Sequence, residues 1–226
     1  MSSLKHHQHL LFDGTFLHRP VSIVALMDGE TNTVISGKFG VKENSNEQLC
    51  SFFKPLIDRE LDPESCTTDG NPQVIRTIRA LWPGIITQRC LVHMQRQGLS
   101  WCRNFPKTVY ARELRVLFCG LTNINTEAER DSFIEEFLWW EKAYGSLIGK
   151  RPERGGVFSD IKRARSLIHK ALPDMFHYLD NPDIPRSTNG LEGYFSRLKQ
   201  HYRQHRGLIP KKRRNYFAWY FHFRPR

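Results

Sequence analysis

Three acidic residues stand in sequence contexts that could bring them together as metal ligands. Asp13 lies in the apolar stretch HLLFDGTF, Asp69 follows SCTT, and Glu192 lies within STNGLEG. Singly, each has an ordinary explanation: an Asp-Gly pair is typical of a turn, Asp69 could cap the following helix, and Glu192 could pair with a nearby cation. Together, three carboxylates favour a centre of two divalent cations about 3.5–4 Å apart, which cleaves phosphodiesters by in-line displacement. Such oxygen ligands suit Mg²⁺ or Mn²⁺ rather than zinc.

A second motif, the Cys-x-x-His pair of Cys90 and His93, follows the second acid. Structural zinc requires four ligands, and no second pair of this kind accompanies it, so zinc is not expected. The five cysteines are an odd number without a Cys-x-x-Cys pair, which favours a reducing cytoplasm over a disulfide-rich fold.

Apolar patterning predicts the elements that must position these residues. Strands are expected at His9–Phe16, Val21–Met27, Thr33–Val41, Ser65–Thr68 and Ile85–Arg89. Helices are expected over 46–61, where Ser45 and Gln48 suggest a weak capping box, over 72–82, and after Cys90. The order β-β-β-α-β-α-β-α predicts an α/β fold with a mixed five-stranded sheet. A right-handed crossover after the third strand lays the fourth parallel to the first, with Asp13 beside Asp69.

Helical periodicity dominates the middle of the chain, with helices expected over 108–121, 126–147 and 159–172, and another beginning at Asn189. The predicted division is residues 1–104, a mostly helical insertion over 105–185, and a C-terminal part over 186–226. We expect Trp139 and Trp140 to be core residues of the long helix; stacking of one of them on a DNA base is the alternative.

Positive charge is concentrated at the C-terminal end of the chain. The net charge is +11, and residues 189–226 carry ten Lys and Arg against the single acid Glu192. Aromatic residues interleave with these cations and could be either core residues or stacking platforms. This pattern predicts contact with nucleic-acid phosphates. The candidate DNA-binding residues are Arg197, Lys199, Arg203, Arg206, Lys211, Lys212, Arg213 and Arg214.

Composition excludes several other classes of protein. With 39% apolar and 25% charged residues among 226, the chain is expected to fold rather than to be disordered. It has no apolar run long enough to span a membrane, and its polar, histidine-rich start does not resemble a signal peptide. A membrane-surface protein is also disfavoured, because the cations do not lie opposite a clean apolar helix face. No membrane partner is expected.

In combination, these motifs resemble the DDE transposases of bacterial insertion sequences, in the Mutator-like superfamily. The resemblance covers residues 8–223 and rests on the three acids, the Cys-x-x-His pair, and the string from Ser187 to Gly193. Further support comes from FSRLK at 195–199 and HRGL at 205–208. The resemblance implies an RNase H-like fold in which a mostly helical insertion precedes the last catalytic helix.

The resemblance also implies roles for the site residues. Asp13, Asp69 and Glu192 would be the catalytic residues that bind two Mg²⁺ or Mn²⁺ ions. Cys90, His93 and Asn189 would support the site structurally, for example by orienting a carboxylate or a DNA phosphate. The implied partner is double-stranded DNA, both element ends and target. Assembly as a homo-oligomer on DNA and a cytoplasmic, nucleoid-associated location would follow.

The start of the chain departs from the family pattern. Met1 lies only 12 residues before Asp13, where complete members of the family carry a DNA-binding region. The sequence therefore predicts an N-terminally truncated transposase, or a catalytic domain alone. Two alternatives remain open at this point: an RNase H-like nuclease that acts by hydrolysis only, and a DNA-binding relic without catalysis.

Overall fold

The computed structural model describes residues 3–18, 21–150, 156–205 and 207–225. The fold is α/β, with a five-stranded mixed sheet flanked by helices, as predicted. All five predicted strands are present, with boundaries within two residues of those expected. They are β1 (His9–His18), β2 (Val21–Asp28), β3 (Val34–Val41), β4 (Ser65–Thr68) and β5 (Ile86–Arg89).

The strand order is β3-β2-β1-β4-β5. β2 runs antiparallel to both β1 and β3, while β4 runs parallel to β1 and to β5. The predicted parallel placement of the fourth strand against the first is therefore confirmed. In consequence β1, β3, β4 and β5 all end at the same edge of the sheet, the place where α/β proteins commonly form their sites.

Helices cover both faces of the sheet, because alternate strand residues point to opposite faces. Leu10 and Phe12 pack against α1 (Asn46–Ile57) and α2 (Pro72–Leu81). On the other face, Leu11 packs against α8 (Asn189–Arg203) and α9 (Pro210–Phe223). Leu10 and Phe12 thus belong to one hydrophobic core and Leu11 to the other.

The start and end of α1 differ in detail from the expectation. Ser45 accepts a hydrogen bond from the Gln48 amide at 3.4 Å, but Gln48 Oε1 accepts from the Lys42 amide at 2.8 Å. The capping box is therefore only half formed, since the Gln48 side chain instead secures the loop after β3. The helix ends at Ile57 rather than 61, and Glu60 then takes a positive φ of 66°.

A second compact unit spans Leu91–Asp180, and the first consists of Met1–Cys90 with Asn181–Arg226. The helices of this second unit are α3 (Leu91–Cys102), α4 (Val109–Gly120), α5 (Glu127–Gly149), α6 (Gly156–Ala171) and α7 (His177–Asp180). The unit begins at Leu91 rather than at 105, because α3 packs against α4 and α6.

The two tryptophans of α5 have different environments. Trp140 is buried and its Nε1 donates to the Tyr110 carbonyl at 2.9 Å, so its predicted core position is confirmed. Trp139 is 59% exposed, so the same prediction is wrong for it.

Within the described part of the chain, no helix is long and apolar enough to cross a membrane. Each of the five cysteines is a free thiol.

Candidate acidic site at the edge of the sheet

Asp13 and Asp69 follow directly on paired positions of two parallel strands. The last register pair between β1 and β4 is Phe12 with Thr68. The residues that follow these two in the sequence are Asp13 and Asp69. Asp13 is not at the end of its strand, because β1 continues to His18. Alternation along β1 places Asp13 on the face of Leu11, which α8 covers.

The Asp13 carboxylate is held from two directions. It is only 6% exposed, and its Oδ1 accepts from the Gly14 amide at 2.8 Å. The buried Thr188 hydroxyl donates to its Oδ2 at 3.3 Å. Thr188 is the N-cap residue of α8, yet its side chain makes no capping hydrogen bond. Its hydroxyl is directed to Asp13 instead, which ties β1 to the start of α8.

Cys90 directly follows β5 and contacts Thr188. Its Sγ accepts from the Thr188 amide at 3.3 Å and lies 3.5 Å from the Thr188 hydroxyl oxygen. Cys90 therefore contacts a residue that in turn contacts Asp13. Of the other two candidates for a supporting role, Asn189 is the exposed first residue of α8, and His93 is a half-buried residue of α3 in the second unit.

Asp69 forms the turn after β4. Its Oδ1 accepts from the Asn71 amide at 2.9 Å and from the Thr68 hydroxyl at 3.3 Å. The N-cap of α2 is Asn71, whose side chain accepts from the Gln73 amide at 2.9 Å. The interpretation of Asp69 as the helix cap is therefore wrong, because Asn71 occupies that position.

Arg89 packs against the turn that follows Asp69. Gly70 has a φ of 93°, and a Cβ at this position would overlap the guanidinium of Arg89. Arg89 is buried at the end of β5, and its Nη2 donates to the Asp69 carbonyl oxygen at 3.4 Å. A buried cation at this point offsets part of the negative charge at the edge of the sheet.

Glu43 is an acid at this edge that the sequence interpretation did not include. It lines a depression of about 280 Å³ together with Gly14, Phe16, Ser22, Lys42, Asn44, Asp69 and Asn71. The Glu43 carboxylate lies over Gly14, where a side chain would displace it, and it accepts a hydrogen bond from Ser22. Burial raises the pKa of Glu43, and the charge of Asp69 raises it further. The sequence signal for Glu43 is its position just after β3, because β3 ends at the same edge of the sheet as β1 and β4.

We expect Glu43→Gln to increase the free energy of unfolding at pH 7, by up to about 1 kcal/mol. The folded pKa of Glu43 lies above its ordinary 4.5, so its charge opposes folding at neutral pH. Below pH 4.5 the Glu43 carboxyl is protonated in the folded and in the unfolded protein, so the gain in free energy of unfolding should vanish. Urea denaturation between pH 4 and 8 measures this, with exposed Glu64→Gln as the control. A gain that does not depend on pH would contradict the electrostatic explanation.

Glu192 lies in the first turn of α8, four residues after Thr188, and its amide donates to the Thr188 carbonyl at 3.1 Å. Residues four apart lie on one helix face, so Glu192 lies on the same face of α8 as Thr188, which contacts Asp13. Gly190 lets the helix approach the sheet, because a Cβ there would lie 3.1 Å from Met27 Sδ on β2 and 3.4 Å from Leu11 Cδ1 on β1. Across the described residues, no three Asp, Glu, His or Cys side chains are arranged to hold a metal ion together.

The chemistry of the donor groups at this edge suits a hard divalent cation. Asp69 and Glu43 line one depression, and Asp13 lies on the adjacent strand. Carboxylate and amide oxygens are the ligands that Mg²⁺ and Mn²⁺ prefer. The repulsion between Asp69 and Glu43 is the kind that a bound cation relieves. A site shared by Asp13, Asp69 and Glu192 requires their side chains to rearrange when a cation binds.

The basic segment is partly core and partly exposed. Phe221 packs over Gly37 of β3, and the ring of Phe217 stacks on Phe39 at 4.9 Å, so these aromatics hold α9 on the sheet. Trp219 and Phe223 are exposed. The cations Arg197, Arg203, Lys211, Lys212 and Arg214 are exposed, Lys199 and Arg213 are half-buried, and Arg206 lies outside the described residues.

Comparison with known proteins adds no family to these observations. The chain matches no model of a known protein family, and a search of curated protein sequences found no match.

Proposed function

We propose that this chain is a catalytic domain of a DDE-type transposase with an RNase H-like fold. Such a domain cleaves a DNA strand with the help of metal ions and joins the freed 3′-hydroxyl to target DNA. The observation that carries the proposal is the parallel pairing of β1 with β4, which ends at Phe12 and Thr68, the residues that directly precede Asp13 and Asp69. In this proposal the chain acts on double-stranded DNA of the nucleoid and assembles on it as a homo-oligomer.

The proposed site consists of three metal-binding acids and two residues that position them. Asp13, Asp69 and Glu192 would hold two Mg²⁺ or Mn²⁺ ions, which, when bound, activate the attacking hydroxyl and stabilise the leaving oxygen. Thr188 fixes the Asp13 carboxylate through its hydroxyl, and Cys90 fixes Thr188. Because Thr188 begins α8, the same contact sets the position of the helix that carries Glu192.

Cations on α8 and α9 would bind the phosphate backbone of DNA. They include Arg197 and Arg203 on α8, and Lys211, Lys212 and Arg214 on α9, all exposed. The segment that carries Glu192 is thus also the most basic part of the sequence. Attraction of a polyanion to this segment would bring phosphodiesters to the acidic edge despite its negative charge.

We expect the double variant Lys211→Ala/Lys212→Ala to weaken DNA binding in a salt-dependent way. Each phosphate contact contributes about 0.9 to the slope of log K against log salt concentration. Loss of two contacts should make that slope shallower by about 2 units. Fluorescence anisotropy on a duplex between 50 and 300 mM NaCl measures the slope. Lys54→Ala, an exposed lysine on α1, is the control. An unchanged slope would exclude both lysines from the DNA contact.

A strand-transfer assay tests the proposed reaction. The purified chain is incubated with a supercoiled plasmid and a labelled duplex bearing a free 3′-hydroxyl, in Mg²⁺ or Mn²⁺. We expect nicking of the plasmid and covalent transfer of the label to it. Nicking without transfer would support a nuclease that acts by hydrolysis only. DNA binding without nicking would support a non-catalytic relic, and either result would overturn the proposal.

A further inference from the structure

The second unit carries an apolar groove between α4 and α5. One part, of about 520 Å³, is lined by Glu113, Val116, Leu117, Glu135, Glu136, Trp139 and Trp140. An adjoining depression of about 290 Å³ shares Val116, Leu117 and Glu136 and continues towards the start of α5. Val116 and Trp139 are 66% and 59% exposed, so a large apolar surface remains in contact with water. Exposed apolar patches of this kind are typical of protein-binding surfaces.

The rim of this groove is acidic. α5 carries six acids and only two basic residues, and no Lys or Arg is among the residues that line either depression. Within the described residues, Glu113 Oε2 is buried without a hydrogen-bond partner, while Oε1 accepts from the Tyr144 hydroxyl at 3.3 Å. Carboxylates around Trp139 would repel phosphates, which disfavours the alternative of DNA stacking at this ring. An apolar, cationic occupant is complementary to the groove in both respects.

This chain itself presents a helix face with the complementary chemistry. On α9, Lys212, Trp219 and Phe223 are exposed and spaced by seven and four residues, which puts them on one face. The rings of Trp219 and Phe223 stack at 5.3 Å and form one apolar surface. Lys211 and Arg214 add positive charge at the N-terminal end of the same helix. The buried face of α9 remains packed on β3, so docking does not require the helix to leave its own sheet.

We propose that the exposed face of α9 in one copy of the chain docks into the α4–α5 groove of a second copy. Trp219 and Phe223 would contact Val116 and Trp139, while Lys211 and Lys212 would pair with Glu135 and Glu136. The contact joins two different surfaces, so it is heterologous: the copies form a closed ring or dimer if the rotation closes, and a chain if it does not. It requires neither DNA nor a metal ion, and because it uses Lys211 and Lys212, it competes with the DNA contact proposed for these two lysines.

Sedimentation velocity of the nuclease-treated, nucleic-acid-free chain at 5–100 µM tests the contact. We expect self-association at 50 mM NaCl that weakens at 500 mM, because the charge pairs lie at an exposed rim. Trp139→Ser should weaken association at least tenfold at both salt concentrations, since it removes apolar rather than charged surface. Circular dichroism confirms that each variant keeps its helical content, and Asp62→Lys/Glu64→Lys controls for charge reversal at an exposed site outside the groove.

A charge swap makes the test specific for this pair of surfaces. Glu135→Lys/Glu136→Lys and Lys211→Glu/Lys212→Glu should each abolish self-association, because each places like charges on the groove and the helix. Mixed together, the two variants have opposite charges at both contacts and should associate with each other. A wild-type chain that stays monomeric throughout, or a mixture of the variants that does not associate, would overturn the proposal. Association that survives both double variants would assign it to another surface and equally overturn it.

Discussion

Asp13→Asn is expected to abolish metal-dependent DNA cleavage while DNA binding survives. The substitution keeps the size of the side chain but removes the negative charge that a divalent cation requires. Metal ions contribute several kcal/mol to phosphoryl-transfer transition states. The rate of nicking should therefore fall by about 10³-fold or more. Asp69→Asn and Glu192→Gln should have effects of similar size, because the proposed centre needs all three carboxylates.

The measurement is the initial rate of plasmid nicking in Mg²⁺ and in Mn²⁺, with duplex affinity measured in parallel. Affinity should stay within about threefold of wild type, since the basic residues of α8 and α9 are unchanged. Asp62→Asn, at an exposed position away from the sheet edge, is the matched control and should nick at the wild-type rate. Metal-dependent nicking retained in the three variants would show that these acids do not form the active centre.

Gly70→Ala is expected to reduce the free energy of unfolding by about 2–4 kcal/mol. Two separate costs add at this position: a φ of 93°, which a residue with a Cβ adopts only under strain, and overlap of the new methyl group with the Arg89 guanidinium. Urea denaturation measures the loss. Gly84→Ala is the control, because nothing lies within 4 Å of a Cβ at Gly84 and its φ is not positive.

The same variant should also lower nicking activity in the protein that remains folded. Arg89 Nη2 donates to the carbonyl of Asp69, so displacement of the guanidinium disturbs the turn that holds this carboxylate. If Gly70→Ala were as stable as wild type, neither the positive φ of residue 70 nor the close approach of Arg89 would constrain this turn.

Short-range patterns and a handedness rule were enough to predict the sheet and the parallel pairing of β1 with β4. Asp28-Gly29 ends β2 and Asp69-Gly70 follows β4. The crossover through α1 has one favoured hand, which places β4 beside β1. The start of α8 at Asn189 was also predicted, because polar residues precede the apolar pattern there.

Contacts between distant segments could not be predicted in the same way. Thr188 lies next to Asp13 and Cys90 only because α8 packs on the face of Leu11, which no local pattern indicates. The position of Arg89 over Gly70 depends likewise on the pairing of β4 with β5. Trp139 and Trp140 are neighbours of the same residue type, so only the packing of α5 on α4 decides which of them is buried.

Direct measurement of bound Mn²⁺ tests whether Asp13, Asp69 and Glu192 form one metal centre. Electron paramagnetic resonance counts the ions bound to the purified chain as Mn²⁺ is titrated. We expect wild type to bind Mn²⁺, and we expect Asp13→Asn, Asp69→Asn and Glu192→Gln each to remove bound ions while Asp62→Asn does not. Wild-type protein that binds no Mn²⁺, or binding that all three variants retain in full, would contradict this expectation.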